Sequence, residues 1–339
     1  MSTEIPENEQ GTSVVNSRAY LYETTTDIVP YVLLGTAVRA LGKGWNATAL
    51  VAPRIAHLEL FRDFGRLLLD QRQLAMKEPY DLADISKKYQ IALIDSSAGG
   101  LEGSYARERI KQPAHVIVAG EDIHSSDYDL VSHFLKDKLH RGGVTALTGT
   151  GKGKSTAAYG LAAAAVARGQ KAAVVQWFKE PKGKRGTWSI NEHYFPEKLR
   201  EPERFSFHPM GAGFYGSPNL DRVKGDAESA YQAHSAKARQ GLRLAKKLLA
   251  SREYAVLVLD EFVDTLQAVS GTIPRSLLEV SAVQELLAAA RNIPETQVVV
   301  TGRSVTPEWE AFVGTSYVTW QSKHPLSHQG KSGVSGLDF

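Results

Sequence analysis

Five short runs of continuously apolar residues constrain the fold of this chain more than any other feature of its sequence. They read IALID, HVIVAG, AAVVQW, AVLVLD and QVVVTG, at residues 91–95, 115–120, 172–177, 255–260 and 297–302. Strands that are buried on both faces have this composition, whereas half-exposed strands alternate apolar and polar residues. Segments with helical spacing lie between them, at residues 156–168, 226–251 and 281–291. The sequence therefore predicts an α/β fold in which a parallel sheet carries helices on both faces.

The overall composition excludes several classes of protein. The chain of 339 residues is 42% hydrophobic and 23% charged, which is enough to build the cores of two folded domains. The formal charge of +3 is spread along the sequence, so we expect no nucleic-acid partner. There is no cysteine, which excludes disulfides, thiolate metal sites and cysteine nucleophiles, and which fits a reducing compartment.

The N-terminal segment and the lack of long apolar runs bear on localisation. Residues 1–18 are polar and acidic, without the apolar core of a secretory signal, and their composition predicts a disordered tail. No uncharged apolar run approaches the roughly 18 residues that a membrane helix needs. We therefore expect a cytoplasmic protein without a membrane partner.

An internal repeat divides the rest of the chain into two copies. Residues 19–51 align without gaps on residues 144–176, pairing Gly35 with Gly160. Two further blocks follow in the same order, YQIALID aligning with YAVLVLD and HVIVAG with QVVVTG. The pattern predicts a tandem duplication, with a first domain over residues 19–140 and a second over residues 141–339. The alternative is two unrelated α/β domains, because apolar strands resemble one another.

The second copy contains a candidate phosphate-binding turn between a predicted strand and a predicted helix. Such a turn needs glycines whose neighbouring N–H groups converge on the anion, a lysine for the β- and γ-phosphates and a hydroxyl for Mg²⁺. The candidate residues are Gly149, Thr150, Gly151, Lys152, Gly153, Lys154, Ser155 and Thr156. The general motif would place a glycine where this chain has Thr148, so the match is imperfect. The alternative is a flexible Gly/Lys loop, but the strand and helix on either side favour a nucleotide site.

The first copy lacks these features at the aligned position, where it reads ETTTDIVP. Val29 and Pro30 stand where the second copy has lysine and serine, and Asp27 stands where it has another lysine. A triphosphate would meet a negative charge there and no ammonium group. Proline is tolerated at the start of a helix. The first copy is therefore predicted to be a degenerate domain that kept its shape and lost its nucleotide.

An acidic pair follows the predicted strand AVLVLD of the second copy. A phosphate-loop fold places the carboxylates that hold Mg²⁺, directly or through water, at this position. Asp260 and Glu261 are therefore candidates, whereas the first copy has Asp95 and Ser96 there. The alternative is a helix N-cap followed by an acid in the first turn.

Residues 144–339 resemble the ATP:corrinoid adenosyltransferases of cobalamin synthesis and salvage. The motifs that carry the resemblance are TGTGKGKST, AAVVQWFK, MGAGF, VLVLDEF, VVVTGRSVTPEW, KHP and the closing GKSGVSGLDF. The resemblance implies a RecA-like phosphate-loop fold, present twice with the first copy degenerate. It also implies a transferase whose substrates are ATP and a cob(I)alamin-type corrinoid. In this family the Co(I) of a four-coordinate corrinoid attacks the 5′ carbon of ATP, and triphosphate leaves.

The resemblance implies roles for individual residues. Lys154 and Ser155, with Mg²⁺ or Mn²⁺, would neutralise the departing triphosphate. Asp260 would bind the metal, and Glu261 would serve the metal or the corrin. Arg303 is a candidate phosphate contact, since a guanidinium suits phosphate oxygens; a purely structural arginine is the alternative.

Two positions depart from the family's pattern. Phe214 matches one aromatic of the apolar wall that lowers the cobalt coordination number, but Gly216 stands where the family has Trp. Tyr215, or Trp188 or Tyr194 of the inserted loop, is a candidate substitute. In addition, Ala164 stands where the family commonly has arginine, and Arg39 occupies the aligned place in the first copy.

These departures leave a second function open. The alternative to the enzyme is an ATP-binding regulatory or scaffold paralogue that has lost corrinoid chemistry. The basic stretch 179–186 is either a guide for the anionic substrates or a solvated loop. The family is dimeric, so we expect either an intramolecular pseudo-dimer of the two copies or a homodimer.

Overall fold

The computed structural model describes most of the chain in segments. They cover residues 19–24, 27–50, 55–76, 89–95, 115–120, 130–137, 143–179, 190–213, 215, 223, 225–267, 273–304 and 306–323. The predicted tail, and the candidate aromatics Phe214 and Trp188 together with Gly216, lie outside the described residues. Within the described residues, no helix is both long and apolar enough to cross a membrane.

The strands and helices follow the predicted alternation, and their bounds are as follows. The strands are β1 (Ala19–Glu23), β2 (Ala47–Leu50), β3 (Leu74–Met76), β4 (Ile91–Asp95), β5 (His115–Gly120), β6 (Leu130–Asp137), β7 (Val144–Gly149), β8 (Ala172–Gln176), β9 (Phe205–Pro209), β10 (Val256–Asp260), β11 (Gln297–Thr301) and β12 (Thr315–Lys323). The helices are α1 (Val29–Gly42), α2 (Ile55–Arg66), α3 (Lys154–Ala167), α4 (Ala227–Ser251), α5 (Val280–Arg291) and the short α6 (Pro307–Glu310). Single 3₁₀ turns lie at Gln71–Gln73, Asn191–Tyr194, Pro196–Lys198, Pro202–Arg204 and Val263–Thr265.

All the described strands form one sheet of 12 strands. Their order across it is β3-β2-β4-β5-β1-β6-β12-β7-β11-β10-β8-β9. Neighbouring strands are parallel except at the centre, where β6 and β12 pair antiparallel. Each side of that junction is a parallel half-sheet, which confirms the α/β class predicted from the apolar runs. We call residues 19–140 the first half and residues 141–339 the second half.

Both faces of the second half-sheet are covered, because its strand residues alternate between two clusters of buried side chains. Leu147, Val174 and Val258 point to the face that carries α3 and α1. Their strand neighbours, such as Ala146 and Val175, point to the opposite face, under α4 and α5. The first cluster also contains buried residues of β1 and β4, so it runs continuously through both halves. The two halves therefore share one sheet and part of one core.

Helices α1 and α3 approach each other closely at one glycine of each helix. A Cβ atom on Gly35 would stand 1.6 Å from the Thr156 carbonyl oxygen, and one on Gly160 would stand 1.8 Å from the Tyr31 carbonyl oxygen. Only glycine permits a backbone-to-backbone approach of this kind. The contact is reciprocal. Gly35 of α1 meets the backbone of Thr156, one turn before Gly160 in α3, and Gly160 meets the backbone of Tyr31, one turn before Gly35 in α1.

Candidate functional site

The phosphate-binding turn predicted from the sequence is the loop between β7 and α3. Gly149 and Gly153 have φ angles of 105° and 108°, a region that favours glycine. A Cβ on Gly149 would also lie 1.9 Å from the Thr319 carbonyl oxygen, and one on Gly151 would lie 2.7 Å from the Trp320 backbone. The glycines are thus required both by the turn and by β12, which runs directly behind it.

Strand β12 fixes the loop through hydrogen bonds as well as through packing. The Gly151 N–H donates to the Thr319 carbonyl at 3.2 Å. The Thr319 hydroxyl lies 3.0 Å from the Thr148 carbonyl and 3.1 Å from the Gly151 carbonyl. Thr148, the residue that departs from the general motif, is a buried residue of β7. The threonine therefore continues the strand, and the loop begins after Gly149, the last residue of β7.

A cavity of about 430 Å³ opens over this loop. Its walls include all eight of the predicted nucleotide-binding residues from Gly149 to Thr156, together with Arg303 and Glu261. Sequence reasoning had not assigned six other residues of the wall to the site, namely Tyr22, Arg39, Lys179, Asp264, Thr301 and Gly302. The volume lies in the range of small-molecule sites.

The cavity wall carries an excess of positive charge. Its cationic residues are Arg39, Lys152, Lys154, Lys179 and Arg303, against the acidic Glu261 and Asp264. The cationic groups and the N-terminus of α3 together favour a polyanion with several phosphate groups.

Lys154 begins α3, and its ammonium group points back over the loop. Its Nζ donates to the Gly151 carbonyl oxygen at 2.6 Å. Burial lowers the pKa of Lys154 to about 8, although the Asp264 carboxylate works in the opposite direction. An anion bound beside this ammonium group would favour its charged form. Lys154 is thus placed to bind phosphate oxygen.

Asp260 ends β10 and is completely buried. Its Oδ2 accepts a hydrogen bond from the Tyr159 hydroxyl at 2.6 Å, and its Oδ1 accepts one from the Thr301 hydroxyl at 2.8 Å. Gln176 donates to Oδ2 as well, at 3.3 Å. Asp260 lies behind the cavity wall rather than in it, and its role as a metal ligand stays a prediction.

Replacing Asp260 with alanine should destabilise the fold. The variant leaves the buried hydroxyl groups of Tyr159 and Thr301 without their acceptor, so we expect the free energy of unfolding to fall by about 3 kcal/mol. Urea denaturation of the ligand-free protein measures the change. The matched control is Asp264→Ala, which removes a partly exposed carboxylate that accepts one backbone N–H from Arg303 and should cost less. A loss below about 1 kcal/mol for Asp260→Ala would contradict a structural role for this carboxylate.

Glu261 follows Asp260 and faces the cavity. Its backbone has a φ of 59°, and its N–H donates to the Thr301 hydroxyl at 2.8 Å. Its Oε1 lies 3.6 Å from the Lys179 Nζ. Burial raises the pKa of Glu261 to about 7 against the opposing effect of the Lys179 ammonium group. Lys179 therefore belongs to the site, although the sequence placed it at the start of a basic loop.

The oxygen donors around the cavity fit a hard divalent cation. Within the residues that the structure describes, the buried Oε2 of Glu261 has no hydrogen-bond partner. The Ser155 hydroxyl and the Asp264 carboxylate line the same cavity. The described segments contain no cluster of three or more His, Cys, Asp or Glu side chains that could hold a metal ion by themselves. The donor set thus suits Mg²⁺, which keeps several waters and binds through one or two carboxylates plus substrate phosphates.

Comparison with known proteins identifies relatives of the whole second half. Residues 140–339 match the family model described as ATP:corrinoid adenosyltransferase BtuR/CobO/CobP. A corrinoid adenosyltransferase of Pseudomonas aeruginosa is 33% identical over 202 residues, which are 59% of this chain and 84% of that protein. One from Escherichia coli K12 is 32% identical over 204 residues, covering 59% and 86% of the two chains. One from Salmonella typhimurium is 33% identical over 203 residues, again covering 59% and 86%.

Proposed function

The chain belongs to the ATP:corrinoid adenosyltransferase family, and we propose that it transfers the 5′-deoxyadenosyl group of ATP to a Co(I) corrinoid. Membership confirms the resemblance drawn from the motifs of the second half and makes the protein a transferase. The observation that carries the proposal is the cationic cavity over the loop of residues 149–156, inside the part of the chain that matches the family.

The reaction places specific demands on this cavity. The Co(I) electron pair forms the bond to C5′, the C5′–O bond breaks, and its electrons leave with the triphosphate. Charge therefore builds on the leaving group, and Lys154, Arg303 and the N–H groups at the start of α3 are placed to stabilise it. The loop acts on a departing triphosphate rather than on a transferred phosphoryl group.

A divalent cation would add to this stabilisation. We propose that Mg²⁺ is held by the Ser155 hydroxyl, by the Glu261 or Asp264 carboxylate and by phosphate oxygens. It would neutralise charge on the leaving triphosphate. Asp260 is better placed to orient the end of β10 through Thr301 than to reach the ion itself. The lack of cysteine is consistent with our proposal that the enzyme works in the cytoplasm.

We also propose that the chain arose by tandem duplication and works as an intramolecular pseudo-dimer. Strand order supports this origin, because β3-β2-β4-β5-β1-β6 and β9-β8-β10-β11-β7-β12 are the same order read from the two edges of the sheet. Helices α1 and α3 begin at aligned residues, Val29 and Lys154, and each has 14 residues. In the first half the start of the helix is apolar and buried, which supports the loss of a nucleotide there.

An anaerobic assay tests the enzymatic function. Chemically reduced cob(I)alamin, ATP and Mg²⁺ are mixed with the protein, and the cobalt–carbon bond is followed by absorbance while tripolyphosphate is measured as the second product. We expect both products in equal amounts. The regulatory or scaffold alternative predicts ATP binding without either product, and no thermal protection by the corrinoid beyond that given by ATP.

A further inference from the structure

We propose that the first half completes the active site of the second half by supplying Arg39 as a ligand of the ATP triphosphate. This inference rests on the proposed function for the identity of the ligand. It gives the degenerate half a task other than structural support. The site would then be a composite of two halves of one chain, incomplete in either half alone.

The position of Arg39 supports this role. Arg39 lies on α1, yet its Nη1 donates to the Thr156 hydroxyl at 2.8 Å, in the first turn of α3. Its side chain is 11% exposed, and it lines the cavity beside the phosphate-binding loop. A residue 117 positions away in sequence thus reaches the part of the site that holds phosphate.

The surroundings of Arg39 hold its guanidinium in place and charged. Glu192 lies 3.8 Å from Nη2, and the ring of Tyr159 lies 5.3 Å from the guanidinium carbon. Burial lowers the pKa of Arg39, but Glu192 and the other acidic groups more than offset that effect, so the net change is upward. A guanidinium presents five N–H donors in a plane, a geometry that matches phosphate oxygens in a way that an ammonium group does not.

The reciprocal contact between α1 and α3 explains why the arginine comes from the first half. The alignment of the two copies that pairs Gly35 with Gly160 and Tyr31 with Thr156 also pairs Arg39 with Ala164. An arginine at position 164 would therefore be directed toward the turn before α1. That turn has Asp27 and no phosphate-binding loop.

This arrangement gives a physical reason for the departure at Ala164. An arginine there would have no triphosphate to bind and would place a buried charge beside the degenerate half, whereas the alanine is buried in the shared core. Arg39, by contrast, lies beside the loop of residues 149–156. The arginine of the composite site is thus supplied by the first half, across the contact between α1 and α3.

Calorimetric titration with inorganic tripolyphosphate and with ATP tests the proposal. Arg39→Lys keeps a cation beside Glu192 but loses the planar pair of donors, and we expect about tenfold weaker binding of both ligands. Arg39→Gln should weaken binding about 100-fold. The control is Arg62→Gln, which changes an exposed arginine of α2 in the same half and should leave both affinities unchanged. The melting temperature of each ligand-free variant is measured alongside.

The outcomes separate this inference from the proposed function. If Arg39→Lys and Arg39→Gln lower the melting temperature while tripolyphosphate affinity stays within threefold of the parent, Arg39 is structural and the inference is overturned. The inference is also overturned if Arg39→Gln/Ala164→Arg recovers tripolyphosphate affinity, because the arginine would then work from the second half. A parent protein that makes no adenosylcorrinoid refutes the proposed function, whereas the affinity series still decides the role of Arg39.

Discussion

Replacing Lys154 with alanine should reduce the rate of adenosyl transfer by at least 100-fold and weaken tripolyphosphate binding. Removing one preorganised donor from a site where charge develops costs about 100- to 1000-fold in rate. Lys154 lines the cavity, and its ammonium group lies 2.6 Å from the carbonyl oxygen of Gly151, within the loop that would hold the phosphates. Because the variant deletes a half-buried cation rather than a packing group, the fold should persist.

Transfer of the adenosyl group under anaerobic conditions, with tripolyphosphate affinity measured by calorimetry, checks this expectation. Lys247→Ala is the matched control, since it removes an exposed lysine of α4 in the same half of the chain. A Lys154→Ala variant that retains more than a tenth of the parent rate would show that the loop does not stabilise the leaving group, and the proposed mechanism would fail with it.

The turn between β7 and α3 was predictable because local rules determine its conformation. A turn between a buried strand and a helix that must direct several N–H groups at one anion can be built from few residue types, so the spacing of Gly149, Gly151 and Gly153 is informative by itself. The role of Thr148 was not predictable in the same way. It depends on β12, more than 160 residues further along the chain, whose backbone closes on the loop.

The centre of the sheet could not be predicted from periodicity. Strand β12 is only partly buried, with Val318 and Trp320 exposed, so it lacks the continuous apolar run that identified β10 and β11. Its antiparallel pairing with β6 is a contact between the two halves, which local sequence does not encode. Sequence reasoning therefore predicted the parallel α/β class, but not the antiparallel strand pair at the centre of the sheet.

The residues that complete the site were missed for the same reason. Asp264 lies in a 3₁₀ turn after β10 and carries no motif of its own. In the sequence, Lys179 begins a basic stretch that was also consistent with a solvated loop. Its ion pair with Glu261 is what assigns it to the cavity. Arg39 did give a signal, because it aligns in the repeat with Ala164. That signal has a meaning only once α1 is known to cross α3 in a reciprocal contact.

A large effect on stability is expected at the reciprocal contact between α1 and α3. In Gly35→Ala the new methyl group would stand 1.6 Å from the Thr156 carbonyl oxygen, an obstacle that belongs to the backbone and cannot rotate away. The helices must separate, so we expect the free energy of unfolding to fall by about 3 kcal/mol, at the upper end for an overpacked core. Because Arg39 lies one turn further along α1, tripolyphosphate affinity should fall as well. Gly160→Ala, at 1.8 Å from the Tyr31 carbonyl oxygen, should behave in the same way.

Gly65→Ala provides a matched control for this prediction. Gly65 is also a helical glycine of the first half, but a Cβ there would meet no atom closer than the Leu74 Cδ2, at 3.9 Å. Alanine has the higher helix propensity, so this variant should be unchanged or more stable by up to about 1 kcal/mol. Urea denaturation of the three variants measures the difference. Equal stabilities for Gly35→Ala and Gly65→Ala would mean that α1 and α3 are not in backbone contact, and neither the pseudo-dimer nor the reach of Arg39 into the second half would survive that result.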